Sequence, residues 1–300
     1  MIKSTSIYDT IRRYFQLVTF SHTVFALPFA IIGFVLGLSA VYRTGSGIPE
    51  NTLQLLLLVL VCMVTARSAA MAFNRYLDRH FDARNPRTAL REIPAGLIAA
   101  SSALRFVVLN CIVFVLAAFL LNSLCGWLSP VALFVILFYS YTKRFTPLCH
   151  LILGIGLSLA PIGAYLAITG VFDWVPLLFS FAVVGWVGGF DIIYSLQDEE
   201  FDRQHQLHSI PVWLGKKRAL HVSSMLHMIC SLCLFQAGRI GTFGFLYWIA
   251  YALFVFMLIY QHSLVKPHDL TRVNRAFMTA NGIASVFFGV LVVIDLFIQL

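Results

Sequence analysis

Three oxygen-bearing side chains recur at intervals of four residues just after a long apolar run. They are Asn74, Asp78 and Asp82. On a helix of ~3.6 residues per turn this spacing places all three on one face. Two carboxylates so placed repel each other, which indicates that a positive group normally lies between them. Hard oxygen ligands suit Mg²⁺, which takes its remaining ligands from water and phosphate oxygens.

A second acidic cluster repeats this spacing later in the chain. Shifting the first motif by 120 positions places it on Tyr194, Asp198 and Asp202, and Asp191 precedes them. The chain has only thirteen Asp and Glu residues, and five of these lie between Asp191 and Asp202. We therefore predict that the two clusters form one site for Mg²⁺ and diphosphate. The predicted metal ligands are Asp78, Asp82, Asp198 and Asp202, helped by Asn74.

The two motifs resemble those of the UbiA-type membrane prenyltransferases. The signatures of that family, N-x-x-x-D-x-x-x-D and D-x-x-Y-x-x-x-D-x-x-x-D, are both complete here. The resemblance extends to Asn85-Pro-Arg-Thr88, Arg91-Glu-Ile-Pro-Ala-Gly96, Tyr139-x-x-x-Lys143 and the order of the apolar segments. It implies a Mg²⁺-dependent enzyme that moves a polyprenyl group from its diphosphate to an aromatic acceptor, most like the 4-hydroxybenzoate polyprenyltransferase group.

The composition is that of a membrane protein, since 60% of the 300 residues are hydrophobic and 11% are charged. Nine apolar runs are long enough to cross the ~30 Å hydrocarbon layer as helices. They are residues 22–41, 53–73, 104–121, 124–141, 151–168, 175–193, 219–237, 243–260 and 277–298. We predict an all-α integral membrane bundle of about nine helices, with Asn122-Ser123 as a tight hairpin. The offset between the motifs further predicts two four-helix repeats plus one helix, with a cytoplasmic cap over the active site.

Two domains are expected: an N-terminal interfacial segment, residues 1–21, and a polytopic prenyltransferase domain, residues 22–300. The segment 7–20 has apolar residues on one side and Arg12, Arg13 and Gln16 on the other, which predicts an amphipathic helix at the membrane surface.

The basic residues follow the expected membrane topology. Although the formal charge is +8, the 21 Lys and Arg residues are not gathered into one arm, so we predict no nucleic-acid partner. Eighteen of them fall on one side of the nine predicted spans and two on the other. The positive-inside rule then predicts a multi-pass protein of the cell (inner) membrane, with its N-terminus and both acidic motifs cytoplasmic and its C-terminus outside.

Cationic side chains near the acidic motifs could hold a diphosphate. The loop after Asp82 carries Arg84, Arg87 and Arg91, and Lys143 and Arg144 follow the fourth span. Arginine binds phosphate as a bidentate fork and lysine as a point charge. We therefore predict that Arg84, Arg87 and Lys143 bind the substrate, with Arg91 and Arg144 as further candidates for the same role.

Two further residues are predicted to contact a substrate. Arg67 lies inside the second span, seven residues before Asn74 and so on the same face. A buried arginine in a membrane segment needs an anionic partner, and a carboxylate on the aromatic acceptor would provide one. Snorkelling of Arg67 to the interface is the alternative. His22, at the inner mouth of the first span, is the other predicted contact.

The predicted catalytic residues are two tyrosines and one aspartate. Tyr139 and Tyr194 are expected to shield the allylic cation that remains when the diphosphate leaves. Asp191, about two helical turns deeper than Asp198, is expected to orient the acceptor or to take a proton from it. The expected partners are a polyprenyl diphosphate, an aromatic acid and membrane lipid.

Two alternatives to a 4-hydroxybenzoate enzyme of respiratory quinone synthesis remain open at this stage. One is a dihydroxynaphthoate-type acceptor in menaquinone biosynthesis. The other is a secondary transporter, which could also have repeats and intramembrane charges but would place its ion site near the midplane.

Overall fold

The computed structural model of the chain describes residues 7–18 and 25–299, and its regular structure is helical. The helices are α1 (Ile7–Leu17), α2 (Leu27–Val41), α3 (Thr52–Asp82), α4 (Ala100–Leu121), α5 (Ser123–Thr142), α6 (Cys149–Thr169), α7 (Trp174–Ser195), α8 (Glu199–Gln204), α9 (Ile210–Ile240), α10 (Phe245–Leu264) and α11 (Asn281–Ile298). A π-helical turn, Arg275–Ala280, leads directly into α11.

Nine helical segments of the described chain are long and apolar enough to cross a membrane. Each overlaps one of the nine predicted runs, so the prediction of nine spans is confirmed. The second span continues to Asp82 as one helix of 31 residues. His22, with the predicted start of the first span, lies outside the described residues, as do residues 19–20 of the predicted N-terminal helix.

Helix α7 lies at the centre of the largest apolar core. Its Phe179, Trp186 and Phe190 are buried and pack with Phe29 of α2 and Phe254 of α10. Glycines permit close approach of the neighbouring helices. A Cβ added at Gly154 of α6 would lie 2.7 Å from a backbone oxygen of α7, and one added at Gly185 would lie 2.6 Å from a backbone oxygen of α9.

The helices form two groups that meet at α6. In one, α2, α6, α7, α9, α10 and α11 pack in succession; in the other, α3, α4 and α5 pack together, with α5 against α6. The pairs α3–α4 and α4–α5 correspond to α7–α9 and α9–α10, as the predicted repeats require. Helix α2 departs from this correspondence because it packs chiefly on α6 and α11.

The connections alternate between the two ends of the bundle. Residues 83–99, 143–148, 196–209 and 265–274 lie at one end because successive spans run in opposite directions. At the other end, Asn122 alone separates α4 from α5, which confirms the tight hairpin. Its side chain accepts a hydrogen bond from Cys125 N at 2.9 Å and donates one to Leu166 O at 2.8 Å.

Candidate active site

The first acidic motif lies on the last two turns of α3. Asn74 Nδ2 donates to Asp78 Oδ2 at 3.1 Å, so these residues do share one face. Asp78 Oδ1 forms a salt bridge of 2.9 Å with Arg144, and Asp82 Oδ1 forms one of 2.7 Å with Arg91. The other oxygen of Asp82 is buried and has no hydrogen-bond partner.

The second motif lies on a bent backbone rather than on one continuous helix, but its aspartates also pair with basic side chains. Helix α7 ends at Ser195, a 3₁₀ turn covers Leu196–Asp198, and α8 begins at the next residue. Asp198 accepts two hydrogen bonds from Arg87, at 3.1 and 2.5 Å. Asp202 forms a salt bridge of 2.8 Å with Lys143, and its other oxygen is buried without a hydrogen-bond partner.

Each of the four predicted metal ligands is thus paired with a cation from an adjacent connection. Residues 83–99 supply Arg87 and Arg91, and residues 143–148 supply Lys143 and Arg144. Within residues 7–18 and 25–299, no three carboxylate, histidine or cysteine side chains converge as a ready-made metal ligand set. The carboxylates are turned toward the basic side chains instead.

All four cations lie outside the membrane spans, and the surroundings of Arg87 and Lys143 favour their charged forms. Burial alone would lower the pKa of Arg87, but Asp198 and the Tyr194 hydroxyl outweigh it, so this pKa is raised. Burial likewise opposes the charge on Lys143, but the salt bridge with Asp202 raises its pKa above the ordinary value. Both side chains therefore remain positive throughout the neutral range.

The cations singled out in the sequence take different positions in the site. Arg87 and Lys143 pair with Asp198 and Asp202 of the second motif. Arg84 is exposed and takes no part in the four salt bridges. Arg91 and Arg144, the further candidates from the same two connections, pair with Asp82 and Asp78 of the first motif.

An apolar cavity of about 390 Å³ begins one turn below the acidic cluster. It lies among α3, α4, α5 and α6, and its lining on α3 runs from Val59 to Met71, three residues before Asn74. At ~1.5 Å per residue this part of the lining is ~18 Å long. Arg67 and Tyr139 are polar residues of the lining at the end of the cavity nearest the acidic cluster. Arg67 Nε is buried without a hydrogen-bond partner.

The second predicted tyrosine, Tyr194, lies between a cation and an aromatic ring. Its hydroxyl accepts a hydrogen bond of 2.7 Å from Arg87, whose guanidinium lies 5.2 Å from the ring centroid. The ring of Phe277 packs on it with centroids 4.3 Å apart. Tyr194 is therefore held in one position, next to Asp198.

Asp191 has a partner that the sequence analysis missed. Asp191 Oδ2 lies 2.6 Å from Nδ1 of His150, the second residue of α6. His150 is buried, whereas the Asp191 side chain is 24% exposed. The one signal in the sequence was a histidine at the start of an apolar run. The approach of α6 to α7 at this point depends on tertiary packing, which a local pattern does not reveal.

Most of the chain matches the model of one protein family. The model of the UbiA prenyltransferase family matches residues 26–283. The 4-hydroxybenzoate octaprenyltransferase of Tolumonas auensis is 28% identical over 250 residues, covering 83% of this chain and 86% of that protein. The enzyme of the same name from Aeromonas salmonicida is 31% identical over 255 residues, covering 83% and 85%.

Solved structures of similar fold cover almost the whole chain. The apo structure of a UbiA homologue from Aeropyrum pernix superposes with a TM-score of 0.81 at 33% identity, covering 91% of this chain and 98% of that one. A UbiA homologue from Archaeoglobus fulgidus, solved with GPP and Mg²⁺ bound, superposes with a TM-score of 0.74 at 20% identity, covering 93% and 97%.

Proposed function

The chain belongs to the UbiA prenyltransferase family, and we propose that it catalyses Mg²⁺-dependent transfer of a polyprenyl group from its diphosphate to an aromatic acid. The observation that carries this proposal is the cluster of four aspartate–cation pairs at the inner end of an apolar cavity. The cluster suits a metal diphosphate, and the cavity suits the hydrocarbon chain attached to it. Family membership favours this function over that of a secondary transporter.

The residues present fit a magnesium ion. Asp82 and Asp202 each have one buried carboxylate oxygen without a hydrogen-bond partner, and such an oxygen is costly unless a cation satisfies it. We propose that Asp78, Asp82, Asp198 and Asp202 hold the metal, with Asn74 beside them. Mg²⁺ bound there would supply Lewis-acid stabilisation of the leaving diphosphate. The Archaeoglobus fulgidus homologue binds Mg²⁺ together with GPP or DMAPP, which supports this assignment.

The four cations then have a second partner available. When the aspartates turn to the metal, Arg87, Arg91, Lys143 and Arg144 are free to bind diphosphate oxygens. Arginine is suited to this exchange because its fork matches phosphate as well as carboxylate. Arg84, which is exposed nearby, is proposed to assist at the rim.

The reaction separates charge inside a largely apolar site. The allylic C–O bond breaks, its electron pair leaves with the diphosphate, and an allylic cation remains. Tyr139 at the cavity and Tyr194 beside Asp198 stabilise this cation through their rings. A ring carbon of the acceptor attacks the cation, and the proton displaced from that carbon passes to Asp191. The apolar walls exclude water, which would otherwise trap the cation.

Arg67 indicates the class of acceptor. Its guanidinium lines the cavity and its Nε has no hydrogen-bond partner, so an anion is needed there. A ring carboxylate would pair with it while the diphosphate occupies the cations nearer the connections. We propose 4-hydroxybenzoate, the acceptor in the names of the bacterial relatives. A dihydroxynaphthoate of menaquinone biosynthesis meets the same requirement, and either acceptor places the enzyme in respiratory quinone synthesis.

The location follows from the distribution of charge. We propose that the protein spans the inner membrane with its N-terminus, the acidic motifs and the connections 83–99 and 143–148 on the cytoplasmic side, and its C-terminus outside. The connections would then act as a cap over the site. Residues 1–21 are proposed as an interfacial segment, and α1 in this region packs Tyr14 on Phe106 of α4 with ring centroids 4.9 Å apart.

The test is transfer of a labelled prenyl group by the purified protein in lipid nanodiscs. We expect Mg²⁺-dependent formation of a prenylated aromatic acid, with EDTA abolishing it. A panel of 4-hydroxybenzoate, dihydroxynaphthoates, homogentisate and plain phenols identifies the acceptor. Transfer to a phenol but not to any acid would contradict the proposed acceptor class, and no transfer to any acceptor would contradict the proposed enzyme.

A further inference from the structure

His150 is a buried histidine whose two ring nitrogens both have partners. Nδ1 lies 2.6 Å from Asp191 Oδ2, and the backbone N–H of Ile210 points at Nε2 from 3.4 Å. A backbone amide can only donate, so Nε2 carries the lone pair and Nδ1 carries the hydrogen. His150 therefore donates its Nδ1–H to Asp191 Oδ2.

This tautomer is fixed by the start of a helix. Ile210 is the first residue of α9, where backbone N–H groups have no partner within the helix. His150 satisfies one of them. Because a second proton on the ring would face the Ile210 N–H, the histidine cannot readily become the final acceptor of a proton. Its role toward the carboxylate is to hold it in place.

The position of Asp191 suits contact with an aromatic acceptor. Asp191 lies on α7, which packs against α6, and α6 forms one wall of the cavity that Arg67 and Tyr139 also line. One carboxylate oxygen is held by His150, while the side chain as a whole remains 24% exposed. The acceptor would therefore lie between Arg67, which binds its carboxylate, and Asp191, which faces its hydroxyl or the ring carbon that loses a proton.

His150 also connects this aspartate to the diphosphate end of the site. The backbone N–H of His208, two residues before Ile210, donates to Lys143 O at 2.7 Å, and the Lys143 side chain binds Asp202. The end of the connection 196–209 and the first residue of α9 therefore contact both Lys143 and His150. Through His150, these contacts fix Asp191 relative to Lys143, a proposed diphosphate-binding residue.

On the basis of the proposed function, we infer that His150 is a positioning residue for the aromatic acceptor, acting through Asp191. It holds the carboxylate in the orientation in which Asp191 can accept the proton lost by the acceptor.

The test uses steady-state kinetics with both substrates. His150→Leu removes the donor, and we expect kcat/KM for the aromatic acid to fall about tenfold or more, as loss of a hydrogen bond to a charged group implies. The KM for the prenyl diphosphate should not change. His150→Asn, whose amide can donate from nearly the position of Nδ1, should recover most of the loss. His150→Met provides the same test if the leucine variant does not fold.

A double-mutant cycle with Asp191→Asn separates positioning from general stability. If His150 acts through Asp191, the double variant should be no slower than Asp191→Asn alone. The matched control is His227→Leu, since His227 is also buried and pairs through one nitrogen with a side chain, His262, and through the other with a backbone carbonyl. It should leave the KM for both substrates unchanged.

Three results would overturn the inference: multiplied losses in the double variant, an asparagine variant as slow as the leucine variant, or equal changes in KM for both substrates. A wild-type protein that transfers no prenyl group to any aromatic acid would instead contradict the proposed function. An active wild type with unchanged acceptor kinetics in His150→Leu would contradict this inference alone.

Discussion

Lys143 and Arg144 are adjacent in the chain, yet their side chains bind aspartates of different motifs, Asp202 and Asp78, at 2.8 and 2.9 Å. A single turn after α5 therefore lies between two helix ends that are more than a hundred residues apart in sequence. A ligand that binds both Asp78 and Asp202 competes with Arg144 and Lys143 for their carboxylates.

Removing the Lys143 side chain should lower the free energy of unfolding as well as the rate of prenyl transfer. In Lys143→Met the Asp202 carboxylate, 1% exposed, loses its partner, and we expect a loss of about 1–3 kcal/mol in the free energy of unfolding. Thermal unfolding in nanodiscs without metal measures it. Arg203→Met is the control, since the Arg203 side chain is 60% exposed and Glu199 keeps Lys216 at 3.9 Å, so the loss should be less than about 1 kcal/mol. Equal melting temperatures for the two variants would contradict this assignment.

Asparagine at any motif aspartate should nearly abolish turnover while the fold is retained. We expect kcat for Asp78, Asp82, Asp198 or Asp202→Asn to fall about 10²-fold or more, because each variant loses a charge that holds the metal diphosphate. Transfer assays at rising Mg²⁺ concentration measure the loss. Asp269→Asn, on the surface between α10 and α11, is the control. Near-normal rates in two of the four variants would show that the motifs do not share a site.

Arg67→Met should separate the two substrates. Loss of the guanidinium should raise the KM for the aromatic acid roughly tenfold or more and leave that for the prenyl diphosphate nearly unchanged. The variant should also lose its preference for the acid over the matching phenol. Arg67→Lys keeps the charge without the fork and should be intermediate. A selective loss of diphosphate affinity would instead assign Arg67 to the phosphate site.

Filling the cavity should change the length of prenyl chain that the enzyme accepts. Ala160 of α6 lines the cavity, and Ala160→Phe would occupy space that a long chain needs. We expect kcat/KM for a long polyprenyl diphosphate to fall about tenfold, because its chain would have to pack against the added ring. A short prenyl diphosphate does not extend to this part of the cavity and should be little affected. Ala160→Val is the graded control. An equal loss for both chain lengths would mean that the hydrocarbon chain leaves by another route.

Single cysteines should report the orientation of the spans. In a variant lacking the six native cysteines, Arg84→Cys and Gln206→Cys should react with an impermeant maleimide only from the cytoplasmic side. Arg239→Cys, at the other end of α9, should react only from outside. Arg84 and Gln206 on opposite faces would contradict the topology.

The long elements were predictable from sequence because hydrophobicity alone determines them. In the part of the chain that the structure describes, the nine apolar runs correspond to nine helices long enough to span a membrane. Helix α3 ends at Asp82, shortly before Asn85-Pro86, where proline disfavours helical geometry at the preceding residue. The second motif does not continue its helix, since α7 gives way to a 3₁₀ turn before Asp198. The spacing of the acids cannot distinguish this bend from a straight helix.

The pairing of side chains was less accessible to sequence reasoning. Arg91 and Arg144 bind the first motif because residues 83–99 and 143–148 pass close to it, and the path of an irregular connection is not encoded by periodicity. His150 meets Asp191 only because α6 and α7 pack closely, which Gly154 permits. Such contacts depend on tertiary packing rather than on local pattern.

The single-residue link at Asn122 has a consequence for biogenesis. Because one residue separates α4 from α5, α5 must cross the bilayer in the direction opposite to α4. The Asn122 amide also donates to Leu166 O, 44 residues later. Because Leu166 lies in α6, this hydrogen bond can form only after α6 has been synthesised, whereas the turn between α4 and α5 is complete before then.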